Sequence, residues 1–212
     1  DGKQRKWVCA GACCPKPQRP PPKPRAVRPR ETAPQSIDPG VDIGHVHLKT
    51  ADIERIRHFY VDVLGFDVIA RLGDDALFIS AGGYHHTLGF NTWESKGGTP
   101  PPPGTTGLYH VAIRYPTRAA LGDALRRLVR AEYPLTGVND HGTHEALYLE
   151  DPDGNGLELC WDRDESEWPL DEEGHLTFGN RNLDLAGLLA EGASLSPAAQ
   201  EGITADGGEG EL

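Results

Sequence analysis

The sequence predicts an α+β fold: two tandem βαβββ modules, residues 42–93 and 108–162, whose strands form a curved mixed sheet around a cavity. Three observations lead there. Alternating apolar and polar residues recur in short runs bounded by Gly, Asp and Pro turns. One amphipathic helix pattern follows the first strand of each copy. The order of elements in 42–93 then returns in 108–162, which marks a repeat.

In the first copy, "VDIGHVHLKT" alternates as a strand, and order is expected to begin near Val41. Ile53, Ile56, Phe59, Tyr60, Val63 and Leu64 recur at helical spacing, and Gly65 ends that helix. "FDVIARL", "DALFIS" and "HHTLGFNTW" are the remaining strands. "ESKGGTPPPPGTTG" (94–107) is a linker. In the second copy "LYHVAIRY" opens as a strand. A helix follows with Thr117 as N-cap and Leu121, Leu125, Leu128 and Val129 on its apolar face. "PLTGVND" is a weak strand, and "HEALYLED" and "GLELCWD" are strong ones joined by the turn "PDGN".

The flanks differ from this body. Residues 1–40 hold nine of the 18 prolines, and nine Lys/Arg against three Asp/Glu, a net of +6. Such a segment buries no core and is expected to be a disordered tail. With a total of −11, the rest of the chain carries −17, which disfavours nucleic acid and anionic membrane surfaces as partners. No run is long and apolar enough to span a bilayer, and no apolar h-region follows the basic start, so cytoplasm is the expected compartment. The absence of Met, at the start and throughout, is consistent with a fragment or a translated upstream region. Cys9, Cys13 and Cys14 lack partner ligands at zinc-finger spacing, and Cys160 stands alone. Residues 169–212 are acidic and Gly-rich, with one short helix expected in 182–192. The paired modules and the segment to 168 make the central domain.

Strand alternation brings polar residues together. If Val46 and Leu48 face the helix, His45 and His47 face the other way. The same reasoning places His110 opposite Val111 and Ile113, and Glu158 opposite Leu157, Leu159 and Trp161. His45, His110 and Glu158 then point into one cavity, and two imidazoles with one carboxylate suit Fe(II), with Mn(II) or another divalent ion compatible. His141 and His144 precede Tyr148, and His144 shares its face. His58 and His175 read as exposed side chains without a role.

"IGHVHLK…FYVDVLGFDV", "YHHTLGFNTW" and "EALYLEDPDGNGLELCWDR" resemble the vicinal oxygen chelate (glyoxalase/bleomycin resistance/dioxygenase) superfamily, and within it most the type I extradiol, catechol 2,3-dioxygenase-like enzymes. The resemblance spans about residues 42–168. It implies His45, His110 and Glu158 as iron ligands, His86 as the acid–base histidine and Tyr148 as a hydrogen-bond donor near the metal. His47, His85, His141 and His144 are further candidates for substrate contact or ligand support. Simple alternation sends His86 with Leu88 and Phe90 toward the helix and His85 into the cavity, whereas the resemblance selects His86; both remain candidates. The implied reaction is ring cleavage of a catechol-type aromatic by O2.

Other members of the superfamily are rivals. A glyoxalase-like isomerase uses a further carboxylate from the strand of "HHTLGFNTW", where this sequence has none before Glu94. A thiol transferase keeps two His and one Glu. Ligand-sequestering members lack the triad. Many ring-cleaving relatives carry four modules and this chain has one pair, so a homodimer is a candidate for supplying missing walls.

Overall fold

The computed structural model describes residues 36–195. Most of the proline-rich tail, with Cys9, Cys13 and Cys14, and the end of the C-terminal extension lie outside the described residues. Residues 36–42 contain a turn in which Val41 N–H donates to Asp38 O.

The first module holds β1 (Val46–Lys49), α1 (Ile53–Arg57), β2 (Asp67–Leu72), β3 (Ala76–Ser80) and β4 (Leu88–Asn91). The second holds β5 (Val111–Arg114), α2 (Arg118–Arg130), β6 (Gly137–Asp140), β7 (His144–Glu150) and β8 (Gly156–Asp162), and α3 (Leu185–Gly192) follows. The expected repeat is present as two four-stranded mixed sheets, ordered β1-β4-β3-β2 and β5-β8-β7-β6. Each has one parallel pair, β1 with β4 and β5 with β8, and is otherwise antiparallel. The sheets do not close into a barrel.

The first strands are shorter than the alternating runs. β1 starts at Val46, opposite Leu88, and β5 at Val111, opposite Leu157. His45 and His110 therefore stand one residue before their strands, at equivalent places. Val46, Leu48, Val111 and Ile113 pack against the core as alternation requires.

Asp52 caps α1, accepting from Arg55 N–H at 3.0 Å. The sequence predicts one regular helix here. The chain instead widens into a π-helical turn over His58–Val63, where adjacent Phe59 and Tyr60 are both buried. Gly65, at φ +90°, takes the left-handed conformation that ends it. In α2, Thr117 caps as expected. Its buried stripe is Leu121, Ala124, Leu125 and Leu128, while Val129 is 46 % exposed. Val129, eight residues from Leu121, falls at the margin of the stripe, and Ala124 fills the place expected for it. The C-terminal helix predicted in 182–192 is α3, packed on α2 through Gly122 and Gly192. A Cβ on Gly122 would lie 2.2 Å from the Leu188 carbonyl oxygen.

Both modules share one core, in which Ile56, Phe59 and Phe90 join Leu128, Leu147 and Leu157. A polar clasp sits beside it. The Asp151 carboxylate folds the β7–β8 turn by accepting from the backbone of Asp153 and Asn155, both at 2.9 Å, and from the Asn155 amide at 2.9 Å. Tyr60, from the first module, donates to the same carboxylate at 3.2 Å. Asp153 reaches across in turn to Thr50, the Ala51 amide and Arg55. Burial raises the Asp151 carboxyl above its ordinary value. Burial, then the Asp151 charge, hold the Tyr60 phenol well above its own, so it stays a donor.

This clasp predicts the cost of breaking it. Asp151→Ala leaves several donors unpartnered and is expected to lower unfolding free energy by about 2–4 kcal/mol. Tyr60→Phe removes one bond and should cost about 1 kcal/mol. Urea unfolding monitored by tryptophan fluorescence checks both.

Candidate active site

The open face of the second sheet is set by register. Tyr148 pairs with Glu158, Ala146 with Cys160 and His144 with Asp162, so their side chains share one face. Glu158 is only 6 % exposed. Its Oε2 is 2.9 Å from His110 Nε2, and its Oε1 is 3.0 Å from His144 Nε2 and 3.2 Å from the Tyr148 hydroxyl. The other His144 nitrogen meets the Thr143 hydroxyl at 2.8 Å.

A second buried acid shows what is unusual here. Glu145, on the core side of β7, is 4 % exposed and is paired with Arg118 at 2.7 Å and Arg163 at 2.9 Å. Its charge is neutralised in the ordinary way. Glu158 forms no salt bridge to Lys or Arg among the described residues; its partners are imidazoles and a phenol. A buried carboxylate with imidazole nitrogens on both oxygens is a donor set that fits a divalent first-row metal ion.

The remaining candidates fall into two groups. In the first module, His45 and His86 lie 4.4 Å apart by ring centroids, and His86 also meets Phe78 edge-on at 5.1 Å. His85 is exposed, stacks on Tyr84 at 4.2 Å and lies 6.5 Å from His45. Its Nδ1 is 2.8 Å from that of His86. Both precede β4, so strand alternation does not govern them, and His86 is the half-buried member of the pair. Burial, then the neighbouring imidazoles of His45, His85 and His47, hold His86 below the ordinary histidine value. His47 is bonded by Asn91 at 2.8 Å and lies over Gly89, where a Cβ would come within 3.0 Å of the ring.

In the second module, His141 joins Tyr148. Its Nδ1 is 3.0 Å from the Gly179 carbonyl, which assigns the proton to that nitrogen in the neutral ring. Nε2 is then the acceptor, 2.8 Å from the Tyr148 hydroxyl. Burial, then the Glu158 charge, push the Tyr148 phenol far above its usual value, so it remains protonated. Gly179 N–H also donates to His141 O at 2.7 Å, and Asp140 bridges Arg181, so the C-terminal segment is bound along the edge of β6.

Among the described residues, the histidine-containing groups whose ligand atoms all lie within 4.8 Å of one another are His141–His144–Glu158 and the exposed Asp171–Glu173–His175. His110 contacts Glu158, whereas His45 sits with His86. An open pocket of about 540 Å³ adjoins the second-module group, lined by His110, Asn139, His141, Tyr148 and Glu150 among others. That size suits a small organic ligand. Sequence reasoning missed Asn139 and Gly179. Asn139 was findable, because β6 alternation puts it opposite Ala146, on the face of Tyr148. Gly179 carried no signal.

Residues 42–159 match the profile of the Glyoxalase/Bleomycin resistance protein/Dioxygenase superfamily. The chain belongs to that superfamily. It is 38 % identical over 156 residues to a catechol-2,3-dioxygenase of Bacillus subtilis (strain 168), covering 74 % of this chain and 54 % of the relative. It is 31 % identical over 121 residues to biphenyl-2,3-diol 1,2-dioxygenase 3 of Rhodococcus globerulus, covering 55 % of this chain and 61 % of the relative. The chain thus spans little more than half the length of these curated relatives. Among solved structures, a glyoxalase/dioxygenase from Nostoc punctiforme superposes with a TM-score of 0.51 at 18 % identity, over 63 % of this chain and all of that one, a likeness of fold. Among the described residues no helix is long and apolar enough to cross a membrane.

Cys160 lies beside Glu158 on the same strand, and burial, then the Glu158 charge, raise its thiol to about 12. It is therefore expected to stay neutral and unreactive at pH 8 in the folded chain. In a Cys9→Ser/Cys13→Ser/Cys14→Ser background, a thiol reagent should label it only after urea is added. The unfolded thiol ionises first, so its contribution to stability is present at neutral pH and falls as pH rises above the ordinary value of 9.0.

Proposed function

We propose that this protein is an Fe(II)-dependent extradiol dioxygenase that opens the ring of a catechol-type substrate with O2. The observation that carries most weight is Glu158, a buried acid with imidazoles on both oxygens and, among the described residues, no guanidinium or ammonium partner. The named activities of the curated relatives supply the reaction class.

His45, His110 and Glu158 would hold the ion, and Mn(II) or another divalent ion is compatible with the same donors. When bound, the ion supplies Lewis acidity and electron exchange between the catechol and dioxygen. The chain's own residues handle the protons. A catechol must lose a proton on binding, and one must be returned before the ring-opened product leaves. His86, held neutral at pH 7 by its surroundings, accepts the first and delivers the second. Tyr148, held protonated and bonded to His141 Nε2 in the free chain, would turn that O–H to a substrate oxygen when substrate binds.

A glyoxalase-like isomerase fits less well. Leu88 pairs with Val46 as Leu157 pairs with Val111, so Gly89 is the first-module counterpart of Glu158. The position where a further carboxylate would stand is a glycine covered by His47. A second reading of the ligand set is favoured by distance, with the ion held by His141, His144 and Glu158 inside one module. Against it, both His141 nitrogens are already engaged.

Anaerobic purification, metal analysis and oxygen uptake with catechol test the reading. Stoichiometric iron, oxygen consumption and a yellow ring-opened product are expected. Absence of both metal and oxygen uptake would leave a ligand-sequestering protein. His45→Ala, His110→Ala and Glu158→Gln should each lose the iron, while His141→Ala and His144→Ala keep it. Loss of iron in His141→Ala and His144→Ala with retention in His45→Ala and His110→Ala, Glu158→Gln losing it in either case, would favour the His141–His144–Glu158 set. His86→Ala should retain iron and lose rate by about 10²–10⁴-fold.

A further inference from the structure

The pocket beside Glu158 has a one-sided polar lining. Glu150 is at the end of β7 and shares the face of Tyr148, since residues 144, 146, 148 and 150 alternate onto one side. Glu150 is among the residues that line the pocket, and among the described residues no Lys or Arg does. Two guanidiniums of the same module are engaged with acids elsewhere: Arg163 with Asp140 at 3.0 Å and Glu145 at 2.9 Å, and Arg114 with Asp162 at 3.2 Å.

A second observation points the same way. Asn139 Oδ1 is a buried acceptor with no hydrogen-bond partner. The Asn139 NH₂ lies 3.2 Å from His141 Nε2 and 3.3 Å from its Nδ1, and the carbonyl oxygen is the atom left without a partner. An unmet buried acceptor is costly, and a donor brought by a ligand removes that cost. Gly137, beside Asn139 on β6, leaves open floor next to Tyr148.

We propose that this pocket selects catechols whose ring substituent is a hydrogen-bond donor or a cation, such as an aminoalkyl group, over those with a carboxylate substituent, through Asn139 Oδ1 and the Glu150 carboxylate. This rests on the catechol dioxygenase reading for the reaction but not for the preference. A carboxylated side chain meets an acid and a carbonyl lone pair with no cation to receive it. An ammonium or hydroxyl substituent meets two acceptors.

Three probes of similar size separate the possibilities: dopamine, 4-ethylcatechol and 3,4-dihydroxyphenylacetate. Anaerobic equilibrium binding to the iron-loaded chain is followed by tryptophan fluorescence, and kcat/KM by oxygen uptake. Dopamine should bind at least fivefold tighter than 3,4-dihydroxyphenylacetate, with 4-ethylcatechol between them. Glu150→Lys should reverse the order of amine and acid, and Glu150→Gln, the milder change, should narrow the gap. Asn139→Ala should reduce the advantage of dopamine over 4-ethylcatechol. Equal or tighter binding of the acid by the unaltered chain overturns the proposal, as does an order that Glu150→Lys leaves unchanged. The expected binding order without ring cleavage supports the pocket's preference and overturns the dioxygenase reading. No binding of any probe overturns both.

Discussion

The Asp151 carboxylate is the constraint on which the rest depends. It makes the β7–β8 turn by accepting two backbone amides, and through Tyr60 it ties that turn to the helical segment of the other module. Asp153, oriented by the same turn, returns the contact through Thr50 and Arg55. The two sheets share no backbone hydrogen bonds. Their relative placement therefore rests on the common apolar core and on this clasp. An apolar core is non-directional and tolerates sliding, whereas a buried, multiply bonded carboxylate does not. The proposed ligands come from both modules, so their cooperation requires this fixed relation.

Two buried acids on neighbouring strands show how the same residue type serves two ends. Glu145 points to the helix side and meets Arg118 and Arg163, joining α2, β7 and the segment after β8. Glu158 points to the open side and, among the described residues, meets imidazoles and a phenol, groups that can also face a metal ion or a substrate. Strand parity sends the two carboxylates to opposite faces, and the neighbouring side chains decide whether each charge is structural or available for chemistry.

The C-terminal extension does more than lengthen the chain. α3 packs on α2 through two glycines where any side chain would collide. The stretch before it runs along β6, where the Gly179 carbonyl sets the tautomer of His141 and so the direction of the His141–Tyr148 bond.

Much of this was legible in the sequence, because it depends on local pattern. Alternation identified Val46, Leu48, Leu157 and Leu159 as core residues and put Glu158 on the opposite face, while Tyr148 came from the family resemblance. Helical spacing found α1 and α2, and the "PDGN" turn announced its own hairpin. Where local rules compete, only the folded chain decided. The π-helical turn that buries both Phe59 and Tyr60 has no signature in apolar spacing. Val129 is exposed because the stripe on α2 runs through Ala124 instead. The His85–His86 ambiguity arose from extending β4 over residues that precede it, where alternation has no force. The Gly179–His141 bond joins residues 38 apart through a backbone carbonyl, an atom every residue has. Sequence by itself determined which residue types stand on which face, since that follows from backbone periodicity. The tertiary structure alone decided which of them meet, since that depends on contacts between segments distant in the chain.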